Sequence, residues 1–219
     1  VVTSWVDEGF IAFDTETTGL DIADSRIVTA AAIHFVAGVP AETRTWLIRV
    51  DVEIPSAASD IHGVTTAMSQ ADGMDAGLAL GEIRAFLNDA GLPVVCFKSD
   101  FDIPMLNANL MRNGLQALPS ESSICALVID KHCNKYVRGS AQRRLKPTAA
   151  RYGIELSEDD WHGAEADALA AGRIFMAEVQ AYPQLTAIDA VELSSAVEAW
   201  REEQEIDYQR WRASQPPRT

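Results

Sequence analysis

Phe10-Ile11-Ala12-Phe13-Asp14-Thr15-Glu16-Thr17-Thr18-Gly19-Leu20 runs from an apolar stretch into a pair of carboxylates and then into a Thr/Gly turn. The apolar stretch predicts a buried strand, and Asp14 and Glu16 stand where that strand ends. Side chains at i and i+2 of a strand point to the same face, so these carboxylates can converge on one divalent cation. An Asp-x-Glu pair at a strand edge is commonplace, and this one gains its weight from what lies downstream.

Val94-Val95-Cys96-Phe97 predicts another buried strand, followed by Lys98-Ser99-Asp100-Phe101-Asp102 and a helix over residues 103–115. Later, His162-Gly163-Ala164-Glu165-Ala166-Asp167 opens an Ala-rich helix that runs to about Ala181. Three separated segments therefore each deliver carboxylates near the end of a strand or the start of a helix. Residues 27–36 and 44–50 read as strands joined through a turn that contains Gly38 and Pro40, which gives an antiparallel meander with the first strand. Residues 76–90 show helical periodicity through Leu80, Ile83, Phe86 and Leu87, and residues 124–129 read as a fifth strand. The expected fold is α/β, a mixed five-stranded sheet flanked by helices.

With 219 residues and 47% hydrophobic content the chain can bury a substantial core. The expected division is a main domain over 1–182 and a helical extension with a frayed tail over 183–219. In the extension, Val191, Ala199, Trp200, Ile206 and Trp211 fall on one stripe, which either docks on the core or forms a partner or dimer surface. No apolar run approaches roughly 18 residues and no charged-then-apolar stretch opens at Val1, so neither a membrane span nor secretion is expected. Cysteines at 96, 125 and 133 lack CxxC spacing, which predicts reduced thiols and a cytoplasmic setting.

The net charge is −14, which disfavours a nucleic-acid partner over most of the surface. Between residues 131 and 151, however, Lys131, Lys135, Arg138, Arg143, Arg144, Lys146 and Arg151 occur without an Asp or Glu. This block is the expected place to meet phosphates, its alternative being a solvated surface. Engagement would then be local, with short single-stranded ends favoured over long duplex.

Taken together, these motifs resemble the DEDDh, DnaQ-like 3′-5′ exonucleases of the RNase H-like superfamily, which include RNase T and the proofreading subunits of bacterial replicative polymerases. The first motif matches Asp-x-Glu-Thr-Thr-Gly without substitution, the third has the His-x4-Asp spacing, and Ile61-His62-Gly63-Val64-Thr65 is similar to the family's Ile-His-Gly-Ile-Thr. The resemblance implies Asp14, Glu16, Asp102 and Asp167 as metal ligands, with His162 as general base, and it runs from about residue 9 to about residue 180. It also implies Thr17, Thr18 and Leu20 beside the terminal nucleotide of a single-stranded DNA or RNA 3′ end, with His62 and Phe101 as neighbours. Asp100 and Asp102 both present themselves as the second-motif ligand; the aromatic before Asp102 and the helix after it favour Asp102. Many relatives carry Asn where this chain has Lys98, and Phe97 precedes it, so Lys98 is expected to alter substrate contacts. A closer likeness, through Trp200-Arg201-Glu202-Glu203-Gln204, is to stand-alone exonuclease-domain proteins of actinobacteria and their phages.

The chemistry accounts for these residue types. Phosphodiester hydrolysis must activate water and stabilise charge on the attacking and leaving oxygens, which two ions roughly 3.5–4 Å apart can do. Mg2+ and Mn2+ prefer carboxylate and water oxygens, so a carboxylate cluster without Cys suits them. The ordinary pKa of His162 lies near working pH, as a base requires, and Gly163 allows a mobile loop beside it. The competing readings are a non-catalytic nucleic-acid-binding domain of the same fold and an interaction protein acting through the C-terminal helix.

Overall fold

The computed structural model describes residues 4–89, 91–119, 123–155 and 163–215. Strand β1 (Phe10–Thr17) lies inside the sheet, flanked by antiparallel β2 (Ile27–Val36), which in turn pairs with antiparallel β3 (Val39–Arg49). The β2–β3 turn is made by Ala37 and Gly38 with φ of 49° and 78°, and Val36 pairs with Val39. Positive φ at both turn positions matches the twist of a tight hairpin. The short β4 (Met74–Asp75) runs parallel to β3 at one edge; β5 (Val94–Cys96) and β6 (Ser123–Cys125) add in parallel on the far side of β1. The sheet order is β4-β3-β2-β1-β5-β6.

The described helices are α1 (Trp5–Glu8), α2 (Ser56–His62), α3 (Thr66–Asp72), α4 (Ala76–Asp89), α5 (Ser99–Arg112), α6 (Ala126–Cys133), α7 (Leu145–Arg151), α8 (Ala164–Ala181) and α9 (Ala190–Ala213). Several boundaries differ from the expectation. The sheet gains a sixth strand, the two-residue β4. The strand expected over 124–129 stops at Cys125 and the chain turns into α6, which buries Ala126, Val128, Ile129 and Asp130. A short apolar run satisfies a buried strand and a buried helix equally, so periodicity could not separate them. Helix α5 starts at Ser99 rather than 103 and carries Pro104 within it.

Strand β1 is covered on both faces, and its alternate side chains enter different cores. Phe10 and Ala12 pack with Ile33 and Phe35 of β2 and with Phe175 and Val179 of α8. Ile11 and Phe13 pack with Ala30 and Ala32 of β2, Leu80 and Ile83 of α4, and Leu106 and Leu110 of α5. The Phe10 ring stacks on Phe35 with centroids 4.8 Å apart and meets Phe175 edge-on at 5.1 Å. Helix α8 sits unusually close to this face: a Cβ on Gly172 would come within 2.4 Å of the Phe35 ring and 3.1 Å of the Ala12 Cβ.

Helix α9 docks through Leu193 and Val197, which join the core on the α8 side, and Trp200, whose ring stacks on His132 at 3.9 Å. Ser194 Oγ donates to the Ser123 carbonyl at 2.9 Å and Gln204 Nε2 to the Val128 carbonyl at 3.0 Å. The inner stripe is therefore 193/197/200/204. Val191, Ile206 and Trp211 of the expected stripe are exposed instead, because the register of the docked face is set by contacts with β6 and α6. The tail residues 216–219 lie outside the described residues. Among the described residues no helix is long and apolar enough to cross a membrane.

Gly172→Ala should force α8 away from β1 and lower stability by roughly 1–3 kcal/mol, the usual cost of overpacking a close contact. A denaturant midpoint equal to that of the unsubstituted chain would refute this reading of the α8–β1 approach.

Candidate active site

Asp14 and Glu16 continue the face of β1 that begins with Phe10 and Ala12, the face on which α8 lies. Asp167 stands in the first turn of α8, its N–H donating to the carbonyl of the N-cap Gly163 at 3.1 Å. One carboxylate oxygen from each of Asp14, Glu16 and Asp167 lies within 4.8 Å of the others; among the described residues no other group of three such ligands comes together.

Asp102 approaches from the opposite layer. It is buried in the first turn of α5, and its Oδ1 accepts from the Thr15 hydroxyl at 2.9 Å. Thr15 has the same parity as Ile11 and Phe13, so it faces α5 while its neighbours face α8. Asp102 thus stands outside the set of three, yet it is near enough to act electrostatically on Asp14 and Glu16. The role of Thr15 was not foreseen; strand parity was the signal that could have exposed it.

Burial pushes the Asp14 carboxyl well above its usual range, and Asp102, Asp167 and Glu16 push in the same direction. Burial followed by Asp167 and Asp102 moves Glu16 up to about 7. Burial also moves Asp102 up to about 7, although the Thr15 hydroxyl and Lys98 pull it down. Among the described residues, the side-chain charges acting on Asp14 are all acids. Among the described residues the converging donors are carboxylate oxygens, the donor set of a hard divalent cation, and Asp14, Glu16 and Asp167 fit one.

The remaining candidates fall in several places. Thr17 Oγ1 donates to the Gly19 carbonyl at 2.7 Å, and Thr18 Oγ1 accepts from the Arg26 N–H at 2.9 Å, so both hydroxyls brace the turn after β1. Leu20 stands 84% exposed at the rim. His62 ends α2; its Nδ1 accepts from the Val64 N–H at 3.2 Å, and burial lowers its pKa. Phe101 carries the Lys98 ammonium 5.8 Å from its ring centre. Asp100 turns toward α9 and pairs with Arg201 at 3.4 Å, leaving Asp102 as the second-motif carboxylate that faces the cluster. His162 lies outside the described residues.

The basic block divides. Arg138, Arg144 and Lys146 are exposed. Arg143 is turned inward: its guanidinium donates to the fully buried Asp130 at 2.5 Å and to the Asn134 carbonyl at 2.6 Å. Arg151 joins the same carboxylate at 2.6 Å. The expectation that Arg143 meets phosphate is corrected on this ground, since Asp130, one residue outside the acid-free block, takes up its charge.

The family described as RNase_T, Exonuclease, matches residues 11–175. The chain belongs to this exonuclease family. Its members of DEDDh type share the RNase H-like fold described above. Among curated relatives, a PolC-type DNA polymerase III of Mycoplasma pneumoniae is 26% identical over 173 residues, covering 79% of this chain and 12% of the polymerase. The DNA polymerase III subunit epsilon of Treponema pallidum is 29% identical over 171 residues, covering 76% of this chain and 74% of that subunit. A crystal structure of E. coli exonuclease I in complex with a dT13 oligonucleotide superposes with a TM-score of 0.69 at 21% identity, over 81% of this chain and 42% of that one. The chain therefore spans about an eighth of the polymerase and less than half of exonuclease I.

The raised carboxylates make stability depend on pH. A group whose folded pKa lies above its unfolded value binds more protons when folded, so its stabilisation is complete below the unfolded pKa and is lost as pH rises through the folded one. For Glu16 and Asp102 the window runs from the ordinary carboxylate range up to about 7. With chelator present, the melting temperature should fall between pH 5 and pH 8. Asp14→Asn should reduce that fall, and Mn2+ at pH 8 should reverse it in the unsubstituted chain only. An equal pH dependence in the Asp14→Asn variant would remove the cluster as its source.

Proposed function

We propose that this chain is a metal-dependent 3′-5′ exonuclease that hydrolyses the terminal phosphodiester of a single-stranded DNA or RNA 3′ end and releases a nucleoside 5′-monophosphate. The observation that carries the reading is the convergence of Asp14, Glu16 and Asp167 from two elements on one point, with Asp102 behind them. In the reaction a water oxygen bonds to phosphorus, the P–O3′ bond breaks, and the shortened strand leaves with a 3′-hydroxyl. Bound by these carboxylates, Mg2+ or Mn2+, two ions on the family pattern, would supply an acidified water and offset the charge on the phosphate.

The rest falls to the chain's own side chains. His162 takes the proton of the attacking water as general base, five residues before Asp167 in sequence. The braced turn of Thr17 and Thr18 holds the sugar of the terminal nucleotide, and the exposed Leu20 offers its base an apolar rim, with His62 and Phe101 nearby. Lys98 supplies a cation beside Asp102 where many relatives have Asn. Arg138, Arg144 and Lys146 meet backbone phosphates upstream of the 3′ end. A cytoplasmic setting, in a bacterium or encoded by a phage, is consistent with this substrate. A homodimer or partner contact through the exposed Ile206, Tyr208 and Trp211 would add to the activity rather than replace it.

The deciding assay uses 3′-labelled and 5′-labelled oligonucleotides, as DNA and as RNA, with Mg2+, Mn2+ or chelator. Release of labelled mononucleotide at once from the 3′ label, with a descending ladder from the 5′ label, is expected only with metal. Asp14→Ala and Asp167→Ala should reduce turnover to background while the fold persists. Asp102→Asn should be far more damaging than Asp100→Asn, and the reverse order would place the second-motif ligand at Asp100.

Charge at the exposed block makes a separate statement. Changing Arg138, Arg144 and Lys146 together to Gln should flatten the salt dependence of oligonucleotide binding by up to about 2 in log–log slope, at about 0.7 per phosphate contact on a single strand. Arg143→Gln should instead lower stability, by less than the roughly 3–5 kcal/mol of leaving a buried charge unpaired, because Arg151, Asn134 and Tyr152 still donate to Asp130. A full slope in the triple variant would leave those side chains as solvated surface.

A further inference from the structure

The first turn of α5 has to hold Asp102 in place, and it is weakly held from within. Its N-cap, Lys98, makes no side-chain capping bond. Pro104 has no N–H, so the Asp100 carbonyl lacks the partner that a regular helix would give it four residues on. The turn is closed by the N–H groups of Phe101 and Asp102, which share the Lys98 carbonyl at 2.9 and 3.3 Å.

A brace arrives from α9, beyond the residues that the exonuclease family matches. Arg201 donates from one terminal nitrogen to the buried Ser99 Oγ at 3.0 Å and sets the other 3.4 Å from the Asp100 carboxylate. Glu198, one turn back on α9, holds the same guanidinium at 3.2 Å. Helix α9 is itself anchored by Leu193 and Val197 in the core and by Gln204 on the Val128 carbonyl. A planar fork fixed at one end and bound to consecutive residues at the other restricts both the rotation and the translation of the turn.

We propose that Arg201 is a positioning residue of the active site, acting through Ser99 and Asp100 to hold Asp102 in register with Asp14, Glu16 and Asp167. The proposal rests on the exonuclease reading for its effect on turnover, while its structural core is independent of that reading. The C-terminal helix thereby becomes part of the working site. Residues placed about 1 Å from their productive position can cost on the order of 10²-fold in rate, so a loosened α5 turn should be visible in kcat.

The full chain is tested as Arg201→Ala, Arg201→Lys, Ser99→Ala and the Ser99→Ala/Arg201→Ala double variant, each checked for an intact melting transition. Arg201→Ala should lower kcat on a short oligonucleotide by roughly 10- to 100-fold with KM unchanged. Arg201→Lys should recover part of the loss, since an ammonium can hold Asp100 but not span both partners. The double variant should be no worse than Arg201→Ala alone. Amide hydrogen exchange over residues 99–103, which needs neither metal nor substrate, should speed up in Arg201→Ala and much less in Arg201→Lys. Unchanged exchange in Arg201→Ala overturns the proposal. So does a rise in KM at constant kcat, which would make Arg201 a substrate contact. If the unsubstituted chain cleaves none of the probes, the exonuclease reading falls and the exchange measurement alone decides the brace. Should Arg201→Ala fail to fold, Ser99→Ala carries both readouts: unchanged exchange over residues 99–103, or a rise in KM at constant kcat, overturns the proposal.

Discussion

Strand β1 is covered by helices on both faces, and that one condition organises the molecule. Because its side chains alternate, Phe10 and Ala12 commit α8 to one face, and Ile11 and Phe13 commit α4 and α5 to the other. Where the apolar run ends, the alternation continues with polar groups: Asp14 and Glu16 toward α8, Thr15 toward α5. A shift of one residue in the β1–β2 register would exchange the faces and separate Asp14 and Glu16 from Asp167. The packing that stabilises the sheet is therefore the same packing that assembles the site.

The cost of that assembly is electrostatic. Asp14, Glu16 and Asp102 are held near one another in a setting that disfavours their charged forms, and among the described residues the side chains that act on Asp14 are further acids. Asp130 supplies the contrast. It is fully buried, deeper than Asp14 or Glu16, but Arg143 and Arg151 donate to one oxygen while Asn134 and Tyr152 donate to the other. That acid is satisfied by the protein and serves to clamp α7 and the turn before it onto α6. Among the described residues Asp14 and Glu16 face other acids rather than cations, which is the condition under which a metal ion binds instead of a side chain.

How much of this could be read from the chain depends on the range of the interaction. The carboxylates at Asp14 and Glu16, the meander and the Ala-rich α8 follow from local pattern, because the physics that fixes them acts within a few residues. Residues 124–129 misled because burial on all sides erases the period that separates strand from helix. The inward turn of Arg143 was hidden because a run of cations in sequence does not state where each side chain points. The docked stripe of α9 and the link from Arg201 to Ser99, 102 residues apart, are set by tertiary packing and leave no local trace.

Lys98 shows how a departure from the family pattern acts at the site. The preceding Phe97 is buried among Ala126, Ala149, Ala171 and Ile174, so the apolar residue there serves the packing of α6, α7 and α8. Lys98 itself is exposed, with its ammonium over the Phe101 ring, and its charge favours the ionised form of Asp102. A neutral amide at this place could only donate or accept a hydrogen bond. The ammonium instead opposes the desolvation that raises the Asp102 pKa, and it does so from the solvent side, where the interaction weakens with salt. The substitution therefore changes the charge balance of the cluster without changing a ligand, and it couples the ionisation of Asp102 to ionic strength in a way an Asn would not.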